Sequence, residues 1–374
     1  MDPLFHAGCY YVQEASSMYL ELAFKTCVEQ TGPLKVLDLC AAPGGKSTHL
    51  LSLLPEGSLL VSNEVVPNRN AVLRENLSKW GKENVVVIQN EAKDIGALTG
   101  FFDVILADAP CSGEGLFRKN PEATQEWSED ALTMCSQRQS DILDAVLPAL
   151  KENGILIYST CTFNPGENDE VLNSLFSKGD FECLRLPIDG GVVSTRFGVQ
   201  MYPHSVKGEG FYMAALKKLK PHSSSIAHAH KGSKMKSVVV KNIEKWLEHP
   251  LHFELEQVND MLYALPKTHL NDIRILQNQL YVRKAGVCLG SLSADVLQPS
   301  HELALFVGRS AQISCVQLEK EVALRYLRGE AISTSQKVGG WHLAAFEGEP
   351  LGWMKGAGLR YNNNYPKELG IRNL

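Results

Sequence analysis

The sequence predicts a doubly wound α/β fold with a mostly parallel sheet, followed by a smaller β-rich unit. Three observations carry this. Between residues 34 and 217, short apolar runs alternate with amphipathic stretches, the signature of β-α repetition. From Lys217 to Lys241 the chain holds seven lysines, three histidines and no acidic residue, which reads as a basic linker. From residue 243 onward, short alternating strands and turn signals such as Gly339-Gly340 and Glu347-Gly348 take over.

The elements follow in order. Leu34 to Leu39 is a buried strand, and the turn Ala42-Pro43-Gly44-Gly45 leads into a helix from about Lys46 to Leu54. Ser58 to Asn63 is a second strand, Pro67 to Trp80 a helix and Val85 to Gln89 a third strand. Asp103 to Ala107 is the fourth strand. Ser128 to Leu150 is a long helix with Ser128 as its N-cap. Ile155 to Ser159 is the fifth strand, Asn168 to Phe176 another helix, and Gly210 to Leu219 the last strand. Beyond the linker, the spacing over Leu318 to Leu327 suits a helix. These readings divide the chain into a catalytic domain at 1–219 with a helical lead-in at 1–33, a linker at 220–242, and a C-terminal region at 243–374.

Composition bounds the function. A chain of 374 residues allows two or three domains. Hydrophobic residues at 44% and charged residues at 21% are those of a soluble globular protein. No apolar run reaches the length of a membrane span, and no signal peptide is evident. Nine cysteines without a CxxC pair argue against a disulfide framework and a structural zinc site. A cytoplasmic monomer without metal is expected. A net charge of -5 speaks against nucleic-acid binding by bulk charge, though a local basic surface stays open. The histidines at 222, 228 and 230 read as linker composition rather than metal ligands.

The loop from Asp38 to Lys46 sits at the first strand-to-helix turn, where open α/β sheets bind ligands. It is neither GxGxxG nor GxxxxGK[ST], so a cofactor without phosphates is favoured there. Glu64, after the second strand, is placed to accept ribose hydroxyls. Glu91, after the third, reaches an adenine edge, with Asp94 as competitor. The plain alternative is that Gly44 and Gly45 only make a turn and Glu64 is a solvated strand end.

Cysteines are normally small buried hydrophobes, which suits Cys27, Cys40, Cys135 and Cys183. Cys111 and Cys161 differ. Each lies in a polar loop after the fourth or fifth strand, at the same sheet edge as the cofactor loop. Two such thiols suit one reaction. A thiolate adding to C6 of cytosine makes C5 enamine-like and able to take an electrophilic methyl; a base then removes the C5 proton and the thiol leaves. Asp108 is placed to stabilise the ring at N3, and Lys46 is a cationic neighbour that favours thiolate.

The segments DLCAAPGGKS, ADAPCSGEGLFRK and YSTCTFNPGENDE resemble the signature motifs of the Nop2/Sun family of RNA 5-methylcytosine methyltransferases. Gln13 to Ser17, Tyr202-Pro203-His204 and Gly208 to Phe211 resemble further family segments. The tail, with GGWHLAAFEGEPLGWMKG and NNNYPKEL, resembles the bacterial RsmF-like branch, which acts on 16S ribosomal RNA. The resemblance implies a Rossmann-like class I S-adenosylmethionine-dependent methyltransferase with a seven-stranded sheet, and a PUA-like domain at about 299–374. It implies that Cys161 attacks the base and Cys111 assists release, with Lys46 and Asp108 facing the ring. The cofactor set would be Ala41, Ala42, Pro43, Gly44, Gly45, Lys46, Glu64, Arg69, Glu91 and Asp108, although many members carry Asp where Glu91 stands. The partner would be RNA, as small-subunit ribosomal RNA or the small subunit itself. Arg118 and Lys119, just after the Cys111 loop, are candidates for phosphate contact. Lys355, Arg360 and Tyr361 in the tail are candidates for backbone contact or base stacking. The family usually carries a further small domain ahead of the stretch matching Asp2 to His6, and that part helps hold RNA. The alternatives are a methyltransferase for transfer RNA, one of another substrate class, and a binding-only RNA module.

Overall fold

The computed structural model describes residues 1–29, 31–177, 179–221, 236–237, 240–293 and 296–371. Most of the expected linker, including the histidines at 222, 228 and 230, lies outside the described residues.

The first nine strands are β1 (Lys35–Asp38), β2 (Leu59–Asn63), β3 (Val85–Ile88), β4 (Phe102–Asp108), β5 (Leu150–Thr160), β6 (Phe181–Leu184), β7 (Val193–Ser194), β8 (Gly198–Met201) and β9 (Phe211–Lys218). They lie in one sheet in the order β3-β2-β1-β4-β5-β9-β8-β7, with β6 also paired to β9. The strands from β3 through β5 are parallel, and β9 is antiparallel to β5. Strand order reverses at β1, the point where β1 is flanked by β2 and β4. In such sheets the crevice beyond the carboxyl ends at that reversal is where ligands bind.

Residues alternate between the two faces with the strand period of two. Leu37, Val61, Val86, Ile105 and Leu156 face one core, with Leu143 and Leu172 from the helices Glu129–Val146 and Asp169–Ser177. Val36, Leu60, Val87, Leu106 and Ile157 face the other, with Phe24, Leu50 and Leu73 from the helices Tyr19–Cys27, Gly45–Leu53 and Pro67–Lys79. The sheet is therefore covered on both sides, which explains the unbroken apolar runs that mark its strands.

The structure departs from the expected elements at several places. The long helix ends at Val146, not Leu150, because Pro148 has no N–H to continue it; a 3₁₀ turn at Leu147–Ala149 leads straight into β5. Its start agrees with the expectation, since Ser128 Oγ accepts the Ala131 N–H at 3.1 Å. The sheet also gains strands beyond seven. The β7–β8 hairpin extends one edge, and β13 (Val282–Ala285) extends the other, antiparallel to β3.

That last strand comes from the C-terminal region. The helix Leu270–Gln279 before it buries Ile273 and Leu276 in the core of the first sheet. Lys35 Nζ of β1 pairs with Asp272 of this helix at 2.6 Å. The remaining strands are β10 (Lys236–Ser237), β11 (Phe253–Val258), β12 (Met261–Pro266), β14 (Val287–Ser293) and β15 (Val296–Pro299), which form a five-stranded sheet, and β16 (Cys315–Gln317), β17 (Ile332–Phe346) and β18 (Glu349–Asn363), which form a three-stranded one. The fully buried Trp353 joins the second sheet to the first, donating from its indole N–H to the Ser300 carbonyl at 2.6 Å.

Tyr361 corrects an expectation. It is only 8% exposed, packed edge-on against His342 inside the β17–β18 core, so it offers no face for a base. Lys355 and Arg360 are exposed, and Lys355 lies 5.3 Å over the Trp341 ring.

Because Leu276 is fully buried between the two regions, Leu276→Ala should destabilise the whole protein by about 2–5 kcal/mol. Urea unfolding measures this, with the exposed Leu251→Ala as a control within about 0.5 kcal/mol of wild type.

Candidate active site

The carboxyl ends of β1, β2 and β3 are tied together before any ligand arrives. Asn63, nearly fully buried at the end of β2, donates from Nδ2 to the carbonyls of Leu39 and Asn90 and accepts the Asn90 N–H. The loop after β1 is then held from the helix Pro67–Lys79. Arg69 donates to the Ala42 carbonyl at 2.9 Å, and Asn76 donates to the Pro43 carbonyl at 2.8 Å. Gly44 turns the chain at φ +114°, where L side chains are strained, and the helix Gly45–Leu53 starts directly after it.

Glu64 lies at this rim with 3% exposure. Its Oε1 accepts the Val66 N–H at 2.9 Å, and its Oε2 faces Arg69 at 3.3 Å. Arg69 therefore links the two expected cofactor elements, the loop and the acid after β2. Glu91 is exposed at the start of the helix Ala92–Gly96, and Asp94 lies in that helix's first turn. Neither forms an ion pair among the described residues.

Asp38 was not singled out from the sequence, yet it is fully buried at this rim. One oxygen accepts the Ser47 hydroxyl at 2.7 Å, and the other has no partner. Burial pushes its carboxyl up to about 7, with the Asp108 and Glu64 carboxylates adding to the shift. A buried acid with an unanswered oxygen, beside a loop whose carbonyls are already taken, fits a cofactor that carries positive charge.

Asp108 ends β4, opposite Ser159 of β5. Its two oxygens are divided: Oδ1 accepts the Ser159 hydroxyl at 2.7 Å and Oδ2 pairs with Lys46 Nζ at 2.8 Å. Burial alone would lower the Lys46 ammonium, but the adjoining Asp108 carboxylate outweighs it and the net shift is upward. Cys161 acts on Lys46 in the same direction, so the lysine is within electrostatic reach of that sulfur. Lys46 Nζ also lies 5.1 Å over the Phe211 ring.

The structure brings the two cysteines together. Cys111 Sγ and Cys161 Sγ are 3.0 Å apart, both partly buried and both free thiols. The Cys161 N–H also donates to Cys111 Sγ at 3.3 Å. Hydrogen bonding to Cys161, then burial, then the Cys161 charge hold the Cys111 thiol well above the usual range. Cys40 packs against the core, and burial pushes its thiol up as well.

Two acids that sequence reasoning passed over build this arrangement. Glu167, fully buried, accepts the Ser112 N–H at 2.9 Å, the Ser112 hydroxyl at 2.5 Å and the Gln139 side chain at 3.0 Å. Glu114 accepts the Thr162 hydroxyl at 2.9 Å and the Phe163 N–H at 3.1 Å. Each acid sits on one cysteine loop and bonds the other. The available signal was position: Glu114 lies three residues after Cys111, and Glu167 six after Cys161.

The expected phosphate contacts stand apart from this core. Arg118 is exposed and already paired, through Nε to Glu209 at 3.1 Å and Nη2 to the Gly208 carbonyl at 2.8 Å. Lys119 beside it is exposed and makes no ion pair among the described residues. No group of three or more His, Cys, Asp or Glu able to hold a metal ion occurs among the described residues. No helix among them is long and apolar enough to cross a membrane.

Comparison with known proteins agrees with this geometry. The family model for the 16S rRNA methyltransferase RsmB/F matches residues 27–217, and that for the methyltransferase RsmF PUA domain matches residues 314–371. Ribosomal RNA small subunit methyltransferase F of Shewanella loihica is 30% identical, over 97% of this chain and 78% of its own length. The protein of the same name from Aeromonas salmonicida is 31% identical, over 97% of this chain and 79% of its own. Among solved structures, NSun6 from Pyrococcus horikoshii, determined with SFG, an S-adenosylmethionine analogue, is 29% identical with a TM-score of 0.52. That match covers 58% of this chain and 55% of NSun6. A methyltransferase homolog from the same organism is 33% identical, with a TM-score of 0.50 over 58% of this chain and 71% of its own. With a Rossmann-like sheet, two thiols meeting at its carboxyl edge and matches along nearly the whole chain, the protein belongs to the RsmB/F family of 16S rRNA methyltransferases.

Proposed function

We propose that this chain methylates C5 of a cytosine in small-subunit ribosomal RNA, with Cys161 as nucleophile and Cys111 as the group that assists release. The observation that carries the reading is the pair of free thiols 3.0 Å apart, beside the Lys46–Asp108 ion pair. Relatives named ribosomal RNA small subunit methyltransferase F support the RNA class. Nine free cysteines suit a reducing cytoplasm, and the protein acts there as a monomer on RNA or on the small subunit.

S-adenosylmethionine, when bound, supplies the electrophilic methyl that ends on C5. Ala41 to Lys46 would cradle it, Glu64 and Arg69 would hold its ribose end, and Glu91 its base. Asp38, with one unanswered oxygen, suits its positive charge. The other steps belong to the protein. Cys161 thiolate forms a bond to C6, and the C5–C6 π pair moves to C5. Asp108 and Lys46 stabilise the charge that the ring acquires. Once C5 is methylated, its proton leaves with the help of Cys111, the C5–C6 double bond re-forms and the sulfur–C6 bond breaks. Arg118, Lys119, Lys355 and Arg360 contact phosphates along the RNA. The cytosine must leave its stack to reach the thiols.

Two predictions test this. Glu64→Ala should weaken S-adenosylmethionine binding by about 1 kcal/mol for each hydrogen bond lost. Calorimetry reads this directly, and a wild-type protein that binds NADH or ATP instead would overturn the cofactor assignment. The thiol roles are separated on a denaturing gel with RNA and S-adenosylmethionine. Cys161→Ala should abolish methyl transfer and leave cofactor binding nearly intact. Cys111→Ala should accumulate a slow-migrating protein–RNA band that the double variant lacks. A band from Cys161→Ala alone would reverse the two assignments.

A further inference from the structure

We propose that Phe163, Tyr202 and His204 form a stacking track for a base of single-stranded RNA, the base next to the target cytosine. The inference rests on the RNA reading above but adds a site that neither thiol nor cofactor loop requires. Phe163 is two residues past Cys161, and its ring stacks on Tyr202 with centroids 5.5 Å apart and planes 18° apart. Tyr202 in turn stacks on His204, with centroids 5.4 Å apart and planes 24° apart. Three near-parallel rings in series thus start on the nucleophile loop.

Exposure rises along the series. Phe163 and Tyr202 are half-buried, whereas His204 is exposed. Rings already stacked on each other can accept another ring only at an end of the series, and the solvent-exposed end is His204. Base–aromatic stacking tolerates any sequence, since every base has a π-face. The inner end is fixed by close packing: a Cβ at Gly210 would lie 2.2 Å from the Phe163 ring, so the chain is bare where the ring sits.

Two cations lie along the same segment, Arg118 paired with Glu209 and Lys207 exposed. Arg118 is bonded to the Gly208 carbonyl and Glu209, five residues or fewer from His204. Lys207 is exposed and makes no ion pair among the described residues. An aromatic end with cations beside it is the composition that single-stranded nucleic acid binds, base on ring and phosphate on cation. His204 and Tyr202 are positioning residues in this scheme: they hold the flanking nucleotide while the cytosine is turned toward Cys161.

The test combines His204→Ala and His204→Phe with RNA oligonucleotides carrying one cytosine and either all bases or an abasic site on its 5′ or 3′ side. Dissociation constants are read together with methyl transfer. His204→Ala should weaken binding of intact RNA about tenfold, with the kinetic effect on KM rather than kcat, and His204→Phe should restore it. With the abasic site on one particular side, wild type and His204→Ala should bind alike. If His204→Ala binds intact RNA as wild type does, or loses as much affinity on both abasic RNAs as on intact RNA, the track is not a base site. Methylation of the intact RNA by wild type judges the underlying reading separately, and the binding data judge the track even when no methyl is transferred.

Discussion

Parallel pairing of β4 with β5, with Asp108 opposite Ser159, is the constraint on which the site depends. Both strands run through the buried centre of the sheet, so their register is fixed by packing on both faces: shifting one residue would send every side chain of the strand into the opposite core. The loops that follow then start level with each other. Cys111 and Cys161 lie three and two residues beyond the paired positions, which is why the sulfurs meet at 3.0 Å.

Register alone does not hold the two loops at contact distance. Glu167 and Glu114, each on one loop and bonded to the other, do so. Removing Glu167 would leave the Ser112 N–H without an acceptor, at a cost of about 1–3 kcal/mol, and would leave the Ser112 hydroxyl with Thr162 alone and the Gln139 amide with the Pro110 carbonyl alone. Burying a carboxylate is tolerated only because three donors answer it. The same logic governs Asp108, whose oxygens are divided between Ser159 and Lys46, so that the lysine charge is held next to the thiols.

The rim at the carboxyl ends of β1, β2 and β3 follows a parallel plan. Asn63 joins the ends of β1, β2 and β3, while Arg69, Asn70 and Asn76, three polar residues of one helix, bond the surrounding backbone and Glu64. The side of the helix Pro67–Lys79 that carries these groups is invisible as a motif, because its polar residues read as a solvated face. The C-terminal region adds rigidity from the far edge, where β13 covers the open side of β3 and the helix before it buries Leu276 in the same core.

The sequence by itself determined the alternation of strands and helices, the glycine turn after β1 and the two cysteine motifs. These are local: apolar runs, Gly-Gly turns and short spacings survive in one dimension, and the paired cysteine segments are long enough to identify a family. Tertiary structure alone decided the rest. The hydrogen bonds of Glu114 and Glu167 across the two cysteine loops, the burial of Tyr361 and the addition of β13 to the sheet all depend on which residues meet across tens or hundreds of positions. A carboxylate in a polar loop looks the same in sequence whether water or a neighbouring loop supplies its donors, and only packing removes the water.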